Sequence, residues 1–318
     1  MTPGWSAPGT RLVLVAMSTC LLAACSPTPT GVRAADRGAD SGQTWVEDDG
    51  TVEVGAGQLY FHQARPTNPS VTLLAVHGGP GMNSRYMASL DRLAGAGITV
   101  IRYDQRGSGR STMPSGDMSL GAHVSDLFTV WQATGEEPAV LFGHSWGGLL
   151  SLAFSAAHPQ AVAGLVLFGS APPTRADLQL ASGSFERRLV MGQRAGWIDP
   201  QLPEELTSLA PILPAYFADP GFEASQELSS AALEPAINVG TWNALGDYDL
   251  RPQLAGFEGP VLFFYGEADP FGQAMGQSVL QALTSTEPEV HWLKDCGHFW
   301  QECPQDVLPL LERFLLVQ

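Results

Sequence analysis

The chain has 318 residues and carries 32 Asp and Glu against 16 Lys and Arg, a formal net charge of −16. Lys294 is its one lysine. A surface this acidic repels phosphate backbones, which argues against nucleic-acid binding, while a cationic substrate remains compatible with it.

In chain order, Arg11 followed by the apolar run Leu12–Ala24 predicts a secretory signal, because the run is too short to span a bilayer comfortably. It ends Leu22-Ala23-Ala24-Cys25-Ser26, which resembles the lipobox of bacterial lipoproteins. That resemblance implies cleavage just before Cys25, lipidation of Cys25, and a protein held at the cell envelope by its acyl chains, each buried methylene contributing about 0.8 kcal/mol. An ordinary signal peptide with a chance cysteine, giving a secreted product, is the plainer alternative. Residues 26–43 are rich in Pro, Gly, Ala, Thr and Ser without apolar periodicity and read as a flexible tether. Residues 44–318 read as one domain carrying an insertion. No later segment is long and apolar enough to cross a membrane, so the body is expected to be soluble, touching a membrane only through the lipid anchor.

Two short strands, Thr51–Val54 and Gln58–Gln63, flank Gly55-Ala56-Gly57 and predict a hairpin. Continuous apolar runs follow at Val71–Val76, Ile98–Tyr103, Ala139–Phe142, Leu165–Phe168 and Val261–Tyr265, the pattern of strands buried on both faces. A last strand is expected near Val290–Leu293. Helical spacing appears at about Ser84–Ala94, Leu120–Thr134, Leu149–Ala157 and Val307–Leu316. Buried strands alternating with helices predict an α/β fold, a mostly parallel sheet with helices on both faces. The stretch 171–256 breaks this rhythm with many prolines and short helical patterns, and it is too long for a loop. It is expected to form an inserted helical cap over the carboxyl edge of the sheet.

Gly143-His144-Ser145-Trp146-Gly147-Gly148 lies directly between an apolar strand run and a helical run. A sharp strand–turn–helix connection of this kind holds a serine out of the chain path as a nucleophile. A serine hydroxyl needs a base, and the base needs an orienting carboxylate. In the order serine, acid, histidine, His298 is the base, presented by the loop Asp295-Cys296-Gly297-His298-Phe299 after the last strand. Asp269 is the acid, ending the preceding strand through Gly266-Glu267-Ala268-Asp269, with Glu267 and Asp295 as competitors.

The tetrahedral oxyanion requires donors, each worth roughly 3 kcal/mol. The backbone N–H groups of Trp146 and of Gly79, in His77-Gly78-Gly79-Pro80-Gly81, are the candidates. His77 is assigned a structural role in that loop. Outside the leader only Cys296 and Cys303 remain, and in an exported protein they are expected to form a disulfide closing the loop that holds His298. Two cysteines and a histidine lack a fourth ligand and the usual spacing, so no metal is expected, and no cofactor.

Three blocks then resemble the proline iminopeptidase branch of the α/β-hydrolases: His77–Gly81, Asp104-Gln105-Arg106-Gly107-Ser108-Gly109-Arg110-Ser111, and Gly143–Gly148. The likeness covers roughly residues 58–170 and 257–316, leaving out the cap. It implies the α/β-hydrolase fold and metal-free release of an N-terminal residue, often proline, from short peptides, with the free amine read by acids of the cap. The block Asp104–Ser111 is expected to brace a turn near the site through Asp104 and Arg106. The cap holds eleven acids against five arginines, and Glu204, Glu205 and Glu234 are the candidates for reading the amine. His144 departs from the family, many members of which have glycine there, and histidine at that place is common in esterases. The alternative within enzymes is therefore a carboxylesterase or lactonase with the same triad, with Trp242, Phe257, Phe299 and Trp300 as candidates for an acyl pocket. An inactive, surface-anchored binding protein is the alternative of another class.

Overall fold

The computed structural model describes residues 45–113, 116–135 and 137–317. The expected signal, the lipobox with Cys25 and the tether lie outside the described residues. Strands β1 (Trp45–Val54) and β2 (Gly57–Pro66) form the hairpin, pairing in unbroken register from Trp45↔Pro66 to Val54↔Gly57. Both run further than their apolar cores suggest. The extra length is polar and still useful, because Asp49 accepts from the hydroxyl of Tyr60 at 2.5 Å and contacts His62 Nδ1 at 2.8 Å across the ladder. An acidic run such as Glu47-Asp48-Asp49 hides a strand from any reading based on hydrophobicity.

β3 (Val71–Val76), β4 (Ile98–Tyr103), β5 (Ala139–His144), β6 (Val162–Phe168), β7 (Val261–Gly266) and β8 (Glu289–Leu293) complete an eight-stranded sheet in the order β1-β2-β4-β3-β5-β6-β7-β8. β2 pairs antiparallel with β1 and β4, and every later pairing is parallel. This is the α/β-hydrolase arrangement. Alternate residues of one strand enter different cores: Leu73, Ala75, Leu262 and Phe264 one, and Leu74, Val76, Phe263 and Tyr265 the other. Burial of both faces explains why the parallel strands read as continuous apolar runs.

The helices are α1 (Leu120–Thr134), α2 (Trp146–Ala157), α3 (Arg175–Ala195), α4 (Gln226–Ser229), α5 (Pro235–Ala244), α6 (Arg251–Leu254), α7 (Gln273–Ala282) and α8 (Pro304–Leu315). Ser84–Ala96 winds as a 3-10 helix instead of an α-helix. Ser84, Met87, Leu90 and Leu93, three residues apart, are all buried, the spacing that a three-residue turn stacks on one side, and Tyr86 and Ala94 are buried beside them. α3 to α6 fill the chain between β6 and β7, the region expected to form the cap. Among the described residues no helix is long and apolar enough to cross a membrane.

Candidate active site

β5 ends at His144 and α2 begins at Trp146, so Ser145 alone makes the turn, with φ 55° and ψ −120°. A left-handed φ is costly for any residue but glycine and persists only where the surroundings over-determine it. Here they do. Ser145 N–H donates to Phe168 O at 3.1 Å, and Ser145 O accepts from Gly148, Leu149 and Ala171 N–H groups at 2.9, 3.3 and 2.9 Å. The turn also needs Gly147, where a Cβ would sit 2.0 Å from Val76 O.

Asp269 follows β7 and His298 follows β8, so both reach the carboxyl edge of the sheet at which Ser145 stands. His298 Nδ1 lies 2.6 Å from Asp269 Oδ2, and the two side chains are 2% and 0% exposed. A carboxylate accepts, so Nδ1 carries the hydrogen and Nε2 is left bare, the tautomer that a general base needs. Asp269 Oδ1 accepts from Phe271 N–H at 2.9 Å, which fixes the carboxylate's rotation. The His298 ring is walled by Phe271, His144 and Tyr216, with centroids at 4.8, 5.0 and 5.6 Å. The competing carboxylates are elsewhere: Glu267 is exposed, and the Asp295 side chain is 87% exposed.

Gly79 adopts φ 45° in the loop after β3, and a side chain would be strained there. Trp146 heads α2, where N–H groups have no intrahelical acceptor and the helix dipole favours negative charge. Gln105 ties these two elements together. Its Nε2 donates to His77 O at 2.8 Å, and its Oε1 accepts from Trp146 Nε1 at 2.7 Å. His77 has both ring nitrogens engaged with backbone, Nδ1 donating to Gly78 O at 2.9 Å and Nε2 accepting from Gln105 N–H at 3.0 Å. Burial holds it neutral, with its pKa lowered. It is a loop brace, as its place in the sequence suggested.

The rest of the Asp104–Ser111 block braces the same region. Asp104 accepts from Ser84 N–H and Oγ at 2.8 and 2.7 Å, and from Arg110 N–H at 2.9 Å. Arg106 grips buried Asp126 with two hydrogen bonds of 2.7 Å.

Ser145, His298 and Gly79 line one cavity of about 620 Å³, walled largely by α3, α5 and the segment 206–216. The wall is mostly apolar, from Leu178, Leu206, Leu209, Ile212 and Leu233 to Phe271. Trp242 and Phe299 also line it, whereas Phe257 and Trp300 belong to the two cores. Glu204, Glu205 and Glu234 are exposed and are not among the lining residues. Glu234 instead stands just before α5, its N–H bonded to Gly81 O at 2.9 Å. The cavity's one carboxylate is Glu186 and its one guanidinium Arg175. Both stand on α3, eleven residues apart, which is three helical turns, so they share a face about 16 Å apart. That relation is readable only once α3 is known to be a single helix. Among the described residues no group of three or more His, Cys, Asp or Glu is placed to hold a metal.

Cys296 and Cys303 form a disulfide, seven residues apart in sequence, around His298. Glu302, inside the closed loop, accepts from Gly297 and Ala218 N–H groups at 2.7 and 3.0 Å through Oε2, and from Asp219 N–H at 2.9 Å through Oε1. His298 N–H donates to Tyr216 O at 2.7 Å. The loop carrying His298 is thus latched to segment 216–219. Closing so short a loop is worth about 2–3 kcal/mol on chain entropy. Reduction with a phosphine is expected to lower Tm by several degrees and to reduce turnover; unchanged Tm and turnover with two titratable thiols would show the bond to be dispensable.

Residues 67–301 match the family Hydrolase_4, described as serine aminopeptidase, S33. The proline iminopeptidase of Thermoplasma volcanium is 34% identical over 137 residues, which cover 42% of this chain and 46% of that protein. The haloalkane dehalogenase of Mycobacterium marinum is 25% identical over 76% of this chain and 83% of its own length. The match thus spans less than half the length of the Thermoplasma enzyme. Among solved structures, the proline iminopeptidase of Mycobacterium smegmatis superposes with a TM-score of 0.65 at 23% identity, covering 84% of this chain and 97% of that one. The esterase of Exiguobacterium antarcticum gives 0.60 at 20% identity, with 82% and 96% covered. These superpositions establish the shared fold.

Proposed function

Because the chain belongs to the Hydrolase_4 family, described as serine aminopeptidase, S33, we propose that it is a serine hydrolase releasing N-terminal residues of proline type from short peptides through an acyl-enzyme. His298 Nε2 takes the proton of Ser145 as its oxygen attacks the carbonyl, and Asp269 holds the imidazolium that forms. The Gly79 and Trp146 N–H groups receive the oxyanion. His298 then passes the proton to the leaving amine, and water, deprotonated by the same imidazole, frees the acyl group. The chemistry needs no metal or cofactor. Export with a lipid anchor at Cys25 is part of this reading. The lipobox-like Leu22–Cys25 supports it, and the Cys296–Cys303 disulfide suits an oxidising compartment.

One observation carries the substrate assignment: the cavity at Ser145 is mostly apolar, with Arg175, Gln179, Ser182, Asn238 and Asn243 as polar groups of its wall and a single carboxylate, Glu186. An apolar wall accepts a pyrrolidine ring, and Glu186 is the group that can pair with its ammonium. Glu186 takes the role that the sequence had offered to Glu204, Glu205 and Glu234. The second reading, a carboxylesterase, is favoured by the same apolar wall and by the solvent exposure of Glu186.

The test is kcat/KM on a prolyl arylamide and on p-nitrophenyl butyrate, for the wild type and Glu186→Gln. The arylamide is expected to be preferred, and Glu186→Gln to cost it about 10- to 100-fold, the worth of a charge-assisted hydrogen bond, while sparing the ester. Preference for the ester, with Glu186→Gln neutral on both, would sink the aminopeptidase assignment and leave the hydrolase standing.

A further inference from the structure

His144 lies directly before the nucleophile and is 1% exposed, yet both of its ring nitrogens are engaged with groups far away in sequence. Nε2 lies 2.8 Å from the carbonyl oxygen of His298, and Nδ1 lies 2.7 Å from the hydroxyl of Tyr86. That hydroxyl also accepts from Gly78 N–H at 2.6 Å. The directions of these bonds are forced. A carbonyl oxygen only accepts, so Nε2 carries the hydrogen of the neutral ring. Nδ1 is then bare and accepts from Tyr86, whose oxygen keeps its lone pairs for Gly78.

The chain reads Gly78 N–H to Tyr86 Oη, Tyr86 O–H to His144 Nδ1, and His144 Nε2–H to His298 O. It ends at the two moving parts of the proposed chemistry. Gly78 precedes Gly79, the candidate oxyanion donor; His298 is the candidate base; and His144 is bonded through its own peptide to Ser145. We propose that His144, with Tyr86, is a positioning relay that sets the oxyanion loop and the base loop at a fixed distance from Ser145. The inference rests on the assignment of Ser145 and His298 as nucleophile and base.

The relay requires a neutral His144, since a proton on Nδ1 would face the hydrogen of Tyr86. Burial, and then the neighbouring His298, push its pKa well below the usual value, so the ring stays neutral. Rings close the relay off from water. Tyr86 packs edge-on against Phe299 at 5.9 Å, and Trp300 meets His144 edge-on at 5.3 Å. Hydrogen bonds in such surroundings are not exchanged for bonds to solvent, and breaking one link leaves the next group unpaired.

The experiment compares Tyr86→Phe, His144→Asn and the double variant, with Ser145→Ala as control, on whichever arylamide or aryl ester the chain turns over. Asparagine at 144 can still accept from Tyr86 but gives up the bond to the His298 carbonyl. Rates are normalised to active sites titrated with a fluorophosphonate, which sets aside misfolded protein. Each single variant is expected to lower kcat about 10- to 100-fold, the scale of a misplacement near 1 Å, with KM within about twofold. The double variant should be no worse than the poorer single one, because a relay broken once loses little at its second break. Wild-type kcat in the single variants, losses that vanish on normalisation, or single losses that multiply in the double variant would each overturn the relay. Activity surviving in Ser145→Ala would fall on the nucleophile assignment first and take the relay with it, and that control alone tells the two failures apart.

Discussion

Ser145→Ala is expected to lower kcat by roughly a millionfold while leaving the fold intact, because it removes one oxygen and no structural contact of the turn. The hydrogen bonds that hold position 145 all run through its backbone N–H and C=O, which alanine keeps. Asp269→Asn should cost about 10⁴-fold for a different reason. Its amide oxygen will accept from Phe271 N–H, as Oδ1 does now, and this turns the NH2 group toward His298 Nδ1. Nδ1 must then accept, so the ring hydrogen moves to Nε2 and the base can no longer take the serine proton. Steady-state kcat on the better of the two substrates, with Tm as the control for folding, checks both. Asp269→Asn retaining more than about a tenth of wild-type activity would return the acid role to Glu267 or Asp295.

Both variants address residues placed from chain order and local context, and the fold brings these residues to one edge of the sheet. Ser145 and Asp269 follow strands whose apolar runs are continuous, His298 follows the more polar edge strand β8, and the C-terminal ends of parallel strands share one edge. Strands buried on both faces announce themselves, as does α1, whose bounds Leu120–Thr134 match the expected helix. Other parts leave no such mark. α7 is hidden because Gly272 opens it without a side-chain cap and Gly276 interrupts it, both of which look like loop signals. The polar half of β1 is held by cross-strand hydrogen bonds that hydrophobicity cannot show. Charge within the cap points to Glu204, Glu205 and Glu234, but charge says nothing of direction; only the path of α3 shows that Glu186 borders the cavity. The Tyr86–His144 contact joins residues 58 apart, and neither has a local pattern that marks the other.

The sharpest test of the turn itself is Gly147→Ala. Two effects oppose one another there, and their signs differ. Gly147 lies in the first turn of α2, where alanine is the better helix former by about 0.8–1.0 kcal/mol, so propensity alone favours the substitution. Sterics oppose it. A Cβ would lie 2.0 Å from Val76 O and 2.6 Å from His77 O, and both are backbone atoms that no change of rotamer can move. Relief requires α2 to back away from β3, opening the core around Val76 and parting the loop of Gly79 from the head of the helix that carries Trp146. The clash wins by a wide margin, and a loss of at least about 3 kcal/mol is expected, the range of severe overpacking. Gly121→Ala in α1 is the matched control, since a Cβ there meets only Ser119 Oγ, at 4.0 Å. Thermal unfolding should show Gly121→Ala at or slightly above the wild type. Gly147→Ala should fall by at least about 6–12 °C, on about 2–4 °C per kcal/mol for a domain of this size, or fail to fold. The folded remainder of Gly147→Ala should also turn over slowly, because the two candidate oxyanion donors are set by the same contact. A Gly147→Ala protein as stable and as active as Gly121→Ala would mean that α2 does not press against β3 as closely as the turn requires.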